Sequence, residues 1–215
     1  MSLRLYFHPL ASFCWKALIA LYENGTPFEP RIVDLADEAA RAEFLKLWPI
    51  GKFPVLTDDA AGRTIPESTI IIEYLAQHYP GGVELLPKDR DLARRTRFRD
   101  RFYDLYVHEP MQKVVTDKLR PAGKSDPHGV ELAKALLRTS YAMIEQDMEG
   151  KTWAMGDSFT LADCAAAPAL FYANEVVPLA GSETNVAGYL ERLKERPSFA
   201  RVLKEAEPYF GLFPG

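Results

Sequence analysis

The sequence predicts an α/β domain followed by a larger all-helical domain, and two observations carry that prediction. Up to residue 80, short apolar runs and amphipathic stretches follow one another in the order strand, helix, strand, helix, strand, strand, helix. Beyond Gly81-Gly82 and Pro87 the strand signals stop and only helical periodicity remains. At 215 residues the length alone fits either one domain or two. The change of pattern therefore sets the division: 1–80, a linker over 81–89, and 90–215.

The first strand is read at 3–7, broken by His8-Pro9. From Ser12 the spacing turns helical, with Trp15, Leu18, Ile19 and Tyr22 on one stripe and Asn24-Gly25 as the C-cap. A second strand at 28–35 follows, and a helical crossover between two strands implies parallel pairing. A short helix at 39–47 leads into the stretch that organises the domain, GKFPVLTDDAAGRTIPESTIIIEY, residues 51–74. Pro54 opens a short strand, where no ladder donor is needed. A second strand ends near Ile65-Pro66, and Glu67-Ser68-Thr69 opens a helix whose apolar face is read as Ile70, Ile71, Tyr74 and Leu75. Past the linker, helices are expected over 90–118, 129–148, 160–174, 182–195 and 198–207, separated by prolines and Gly150.

Composition narrows the function classes. With 47% apolar and 26% charged residues the chain is an ordinary globular protein, and no run approaches the ~18 apolar residues of a membrane span. A net charge of −4 gives no general attraction to nucleic acid. The basic run Arg94-Arg95-Thr96-Arg97-Phe98-Arg99-Asp100-Arg101 alternates with Asp100 and Asp104, which suits a solvated or subunit-facing surface. The start of the chain leaves no room for a cleavable signal ahead of the first strand, so a cytoplasmic location is expected. Cys14 and Cys164 form no CxxC, and His8, His78, His108 and His128 share no ligand spacing, so neither a disulfide framework nor a metal site is expected.

A cis Phe53–Pro54 bond would turn the Phe53 N–H and C=O outward as an edge able to receive an extended peptide. The helix start at Glu67-Ser68 offers free N–H groups and a positive dipole end to a carboxylate. In GKFPVL, in the Glu-Ser pair and in its two-part layout, the chain resembles the glutathione transferases, of the bacterial serine or cysteine type rather than the tyrosine type. That resemblance covers essentially the whole chain. It implies a thioredoxin-like N-terminal domain, an all-α C-terminal domain, a cis-proline loop, glutathione as co-substrate, no metal, and a homodimer. Ser158-Phe159-Thr160-Leu161-Ala162-Asp163 is similar to the capping box of the family's second domain: Thr160 caps, Asp163 reaches back, and Phe159 packs on Cys164.

The resemblance also assigns roles. Lys52 is expected at the glycine carboxylate of glutathione, or else as a solvated lysine, with Trp48 at the same end or in packing. Phe53 and Pro54 would receive the peptide, and Glu67 and Ser68 would take the γ-glutamyl group. In the family a hydroxyl or thiol at the start of the first helix meets the glutathione sulfur. When Trp15-Lys16 is matched to the positions opening that helix, the usual serine place falls on Ala11 and Ser12 comes one residue later. Three readings stay open there: Ser12 as the hydroxyl, Ser12 as an N-cap, or Cys14 or backbone N–H groups at the sulfur. A second-substrate pocket between the domains is expected from Phe13, Tyr103, Tyr106, Met111 and Phe171-Tyr172, the alternative being plain core packing. The implied activity is attack of the glutathione thiolate on an electrophilic small molecule, a peroxide or a disulfide. The alternatives are a non-catalytic binding relative, which Ala11 favours, and a glutathione-dependent isomerase.

Overall fold

The computed structural model describes residues 2–214. Four strands form one sheet: β1 (Leu3–Phe7), β2 (Glu29–Ile32), β3 (Val55–Asp58) and β4 (Arg63–Pro66), in the order β2-β1-β3-β4. β1 pairs with β2 in parallel, as the crossover α1 (Ser12–Glu23) requires, and β3 pairs antiparallel with both β1 and β4. The edge strand β2 is shorter than the 28–35 run suggests and three of its four residues are exposed, so little burial holds its ends in the ladder. α2 (Glu38–Leu47) and α3 (Ser68–His78) complete this half.

α1 is buried from Cys14 to Leu21 on all sides, which explains why its sequence is apolar well beyond one stripe. On α3 the buried residues are Ser68, Ile71, Ile72, Tyr74 and Leu75. Ile70, expected on that face, is 52% exposed, because the helix is rotated to seat Ile72 in the core instead.

The helical half corrects the reading of one helix over 90–118. It comprises α4 (Arg90–Phe102), a π-helical segment (Tyr103–His108) and α5 (Glu109–Lys118). α6 (Pro127–Asp147), α7 (Leu161–Val176), α8 (Thr184–Glu195), α9 (Pro197–Ala206) and a short 3-10 turn (Glu207–Leu212) follow. α7 runs through the core, buried along nearly its whole length. The Asp163 carboxylate accepts from the Thr160 N–H at 2.8 Å, the Ala154 N–H at 2.8 Å and the Tyr189 hydroxyl at 2.6 Å. It holds a loop and α8 as well as the cap.

Asp100 and Asp104 are not the solvated partners of the arginine run. Both turn inward, onto Lys16 of α1, which is 1% exposed. Its ammonium lies 2.5 Å from Asp100 Oδ1, an ion pair at an angle too poor for a directed hydrogen bond. It donates to Asp104 Oδ2 and to Thr69 Oγ1, both at 2.9 Å, and Thr69 in turn donates to Asp100 Oδ2 at 2.9 Å. Arg94, Arg95, Arg97 and Arg101 are exposed, Arg97 forking onto Glu73 at 2.6 and 2.9 Å, while Arg99 pairs with Asp147 of α6.

Removing one partner of such a buried cluster leaves uncompensated charge, so Lys16→Met should cost about 3–5 kcal/mol in urea denaturation at neutral pH. Burial, with Asp100 nearby, raises the Asp104 pKa above the usual carboxylate value. A raised folded-state pKa contributes stability that is fully present below the unfolded value of about 3.9 and lost as pH rises through the folded one. The deficit of Lys16→Met should therefore shrink as pH is lowered, and a deficit independent of pH would contradict this account.

Candidate functional site

A cavity of about 420 Å³ opens between the two halves. One wall comes from the start of α1, Ala11, Ser12 and Phe13, and from Gly51, Lys52 and Phe53 ahead of β3. The facing wall is helical: His108 closes the π segment, and Met111, Gln112 and Val115 follow on α5. Tyr172 of α7 and the tail residues Leu212, Phe213 and Pro214 cover the end.

Backbone geometry sets the first wall. The Phe53–Pro54 bond is cis, and Val55 pairs with Pro66, so Phe53-Pro54 and Glu67-Ser68 leave the ladder at the same end of the sheet. Glu67 holds φ at +70°, a conformation that L side chains rarely adopt, immediately before α3. Neither α1 nor α3 has a side-chain cap, whereas Asp37 caps α2. The first N–H groups of both helices are thus left for another acceptor.

Ser12 is the first residue of α1, and Ala11 occupies the cap position without a side-chain hydrogen bond, so Ser12 is not the cap. The loop before it is held firmly. Ala11 N–H donates to the His8 carbonyl at 3.0 Å, Trp15 Nε1 to the Pro9 carbonyl at 2.5 Å, and the Tyr172 hydroxyl to the Leu10 carbonyl at 2.9 Å. Cys14 is wholly buried within the helix, and burial pushes its thiol up to about 12. A thiol in that setting supplies no thiolate at neutral pH, contrary to the reading of Cys14 as the group at the sulfur.

The cavity thus gathers Ser12, Phe13, Lys52, Phe53, Met111 and Tyr172. Pro54, Glu67 and Ser68 lie beside it at the end of the ladder rather than on its wall. Trp48 packs against the small cluster of Val33, Phe44 and Val55. Tyr103 is 1% exposed in the core, Tyr106 points to solvent, and Phe171 packs on Trp15, so the structure does not bring these three to the pocket. For Tyr103 and Tyr106 the reason is the π segment, whose extra residue turns the helix face between 103 and 108. Sequence reading missed His108, Gln112, Val115 and the tail. For His108, Met111, Gln112 and Val115 the signal is present as a 3-4 spacing, visible once the helix is known to restart near 108.

His108 is 5% exposed and lies against Phe13 with ring centroids 4.1 Å apart and planes at 51°. Burial, with the Lys16 ammonium nearby, lowers its pKa to about 4, so the imidazole is neutral at physiological pH. Among the described residues no group of three or more His, Cys, Asp or Glu is placed to hold a metal ion, and no helix is long and apolar enough to cross a membrane.

Residues 5–82 match the glutathione S-transferase N-terminal domain family and residues 110–197 the glutathione S-transferase C-terminal domain family. The chain belongs to the glutathione S-transferase family. It is 32% identical over 179 residues to a "Glutathione S-transferase-like protein LUC7" of a Fusarium species, covering 79% of this chain and 77% of that one. It is 30% identical over 213 residues to a "Probable maleylacetoacetate isomerase" of Caenorhabditis elegans, covering 97% and 96%. A crystal structure of a glutathione S-transferase from Methylobacillus flagellatus KT with GSH bound has the same fold, with a TM-score of 0.85 at 24% identity over 94% of this chain and 98% of that one.

Given its burial, Cys14 should resist a thiol-modifying reagent in the native protein and react only after denaturation. Cys14→Ala should keep glutathione-dependent activity within about threefold of the parent, at a cost of ~1 kcal/mol in stability for the lost sulfur. Loss of activity in a folded Cys14→Ala protein would reinstate the thiol.

Proposed function

We propose that the protein is a glutathione transferase that binds glutathione along the α1 and β3 side of the cavity, stabilises its thiolate, and directs it at an electrophilic small molecule on the helical side. The observation that carries this reading is the convergence of Ser12 with Lys52 and Phe53 on one cavity wall. In this reading the Phe53 backbone pairs with the tripeptide, Lys52 meets its glycine carboxylate, and the uncapped start of α3 receives the γ-glutamyl carboxylate at Ser68, with Glu67 beside the ammonium. The Ser12 hydroxyl and the uncapped N-terminus of α1 face the sulfur and lower the cost of its ionisation. Peroxides and disulfides are the other acceptors that such a thiolate attacks.

Isothermal titration with glutathione tests the premise, and absence of binding at millimolar concentration would remove it. Lys52→Ala should weaken glutathione about tenfold through loss of one charge-assisted bond. Ser12→Ala should lower turnover by about tenfold or more while moving glutathione affinity less than about twofold. Unchanged turnover in Ser12→Ala would shift the thiolate's stabilisation to the backbone alone, and a protein that binds glutathione but converts no electrophile would fit the non-catalytic alternative.

A glutathione-dependent isomerase is a second reading, favoured by the name of the Caenorhabditis elegans relative. It is separated from the first by turnover without consumption of glutathione.

We also propose a two-fold homodimer. Ile70 of α3 and Leu92 and Phe98 of α4 are exposed at 52%, 44% and 56%, an apolar set flanked by the arginine run. Light scattering should give twice the 24.2 kDa of one chain, and Phe98→Asp should shift that mass toward the monomer. A monomer at micromolar concentration in the parent protein would contradict the assembly.

A further inference from the structure

The helical wall of the cavity is apolar except for one buried group. Met111 is buried, Val115 and Phe213 are half-buried, and the Phe213 ring stacks on Tyr172 with centroids 5.2 Å apart and planes at 29°. The Tyr172 hydroxyl is already committed to the Leu10 carbonyl, and Gln112 lies exposed at the rim. His108 stands apart: it is 5% exposed, it lines the cavity, and its Nδ1 is buried with no hydrogen-bond partner among the described residues. A buried N–H without an acceptor is rarer than an acceptor without a donor, because its proton has nothing to replace water. The ring proton is therefore assigned to Nε2, the nitrogen left for the cavity. Phe13 packs against one side of the ring, and His108 is the last residue of the π segment, a type of segment frequent at functional sites.

We propose that His108 is a specificity-determining residue for the second substrate: its Nε2–H donates a hydrogen bond to a carbonyl or nitro oxygen of an uncharged electrophile held against Phe13 and Phe213. The inference rests on the reading that glutathione occupies the Ser12 side of the cavity. Tyr172 offers the cavity no free ring face, since Trp15 and Phe213 stack on it with centroids 4.7 and 5.2 Å away. The uncharged oxygen follows from the neutral imidazole, since the Lys16 ammonium nearby is already paired with Asp100 and Asp104 and a carboxylate at the same depth would meet only a dipole. A site built to satisfy an oxygen rejects the analogue that lacks it.

The test uses three conjugates that need no turnover: S-benzylglutathione, S-(2-nitrobenzyl)glutathione and S-(4-nitrobenzyl)glutathione, titrated calorimetrically into the full-length protein and into His108→Phe and His108→Gln. The parent should bind at least one nitro conjugate about tenfold more tightly than the benzyl conjugate. His108→Phe should erase that ratio and move the affinity for glutathione itself by less than about twofold, while His108→Gln, which keeps an N–H donor, should retain part of the ratio. Circular dichroism melting establishes that each variant is folded, and His108→Leu replaces His108→Phe if the larger ring is not accommodated. A parent with no preference for either nitro conjugate, or a preference that survives in His108→Phe, overturns the proposal while leaving glutathione binding intact. No heat with glutathione or with any conjugate overturns the glutathione reading itself, and this inference with it.

Discussion

The buried ammonium of Lys16 is the constraint on which the arrangement of the cavity depends. It sits one turn beyond Ser12 on α1 and reaches Thr69 in the first turn of α3, Asp100 on α4 and Asp104 in the π segment. Those four elements carry, or directly adjoin, the start of α1, the Glu67-Ser68 corner and His108. Apolar side chains filling the same space would stabilise the fold about as well, since two carboxylates and a lysine lose their hydration on burial. What they would lack is direction. An ammonium has three N–H donors at fixed angles, so α1 cannot slide along α4 by a fraction of a turn without leaving a buried charge unpaired. Register between the halves is thereby tied to the same residue that adjoins both walls.

The two walls are built by different means. On the α1 and β3 side the geometry belongs to the backbone: a cis bond, an unusual φ at Glu67, and two helix starts without side-chain caps. Such features persist through most side-chain changes, because they are set by the ladder pairing of Val55 with Pro66 and by proline itself. The helical wall is made of side chains from the π segment, α5, α7 and the tail, where Leu212 ends the last 3-10 turn and Phe213 and Pro214 follow it. Substitution at Met111, Val115 or Phe213 alters the shape of that wall without disturbing the sheet.

This difference explains what the sequence made legible. The α/β order, the parallel β1 and β2 pair, the cis proline and the capping box at Thr160 and Asp163 all rest on contiguous residues whose meaning is local. Phe53-Pro54 and Glu67-Ser68 leave the sheet at one end because a short hairpin joins them. The helical wall brings together residues more than a hundred positions apart, and no local pattern reports that convergence. The π segment adds a further obstacle: a helix assumed regular from 90 to 118 carries Tyr103 and Tyr106 toward the cavity, whereas one extra residue turns them away and brings His108 in. Asp100 and Asp104 misled for a related reason, since alternation with arginine looks like a solvated face until their buried partner on α1 is known.

The displacement of the hydroxyl from position 11 to position 12 acquires a physical sense from the way α1 begins. With Ala11 at the cap position, no side chain competes for the first N–H groups of the helix, and Ser12 as the first helical residue presents its hydroxyl beside them rather than binding one of them. A capping serine at position 11 would have spent one lone pair on those N–H groups while offering its proton outward. Moving the hydroxyl one place into the helix separates the two tasks: the backbone donors remain open to an anion and the hydroxyl is free of the cap. In the proposed reaction, stabilisation of the thiolate is then shared between a helix terminus and a hydroxyl. Cys14, two residues further in, is wholly buried, and burial holds its thiol well above the ordinary value.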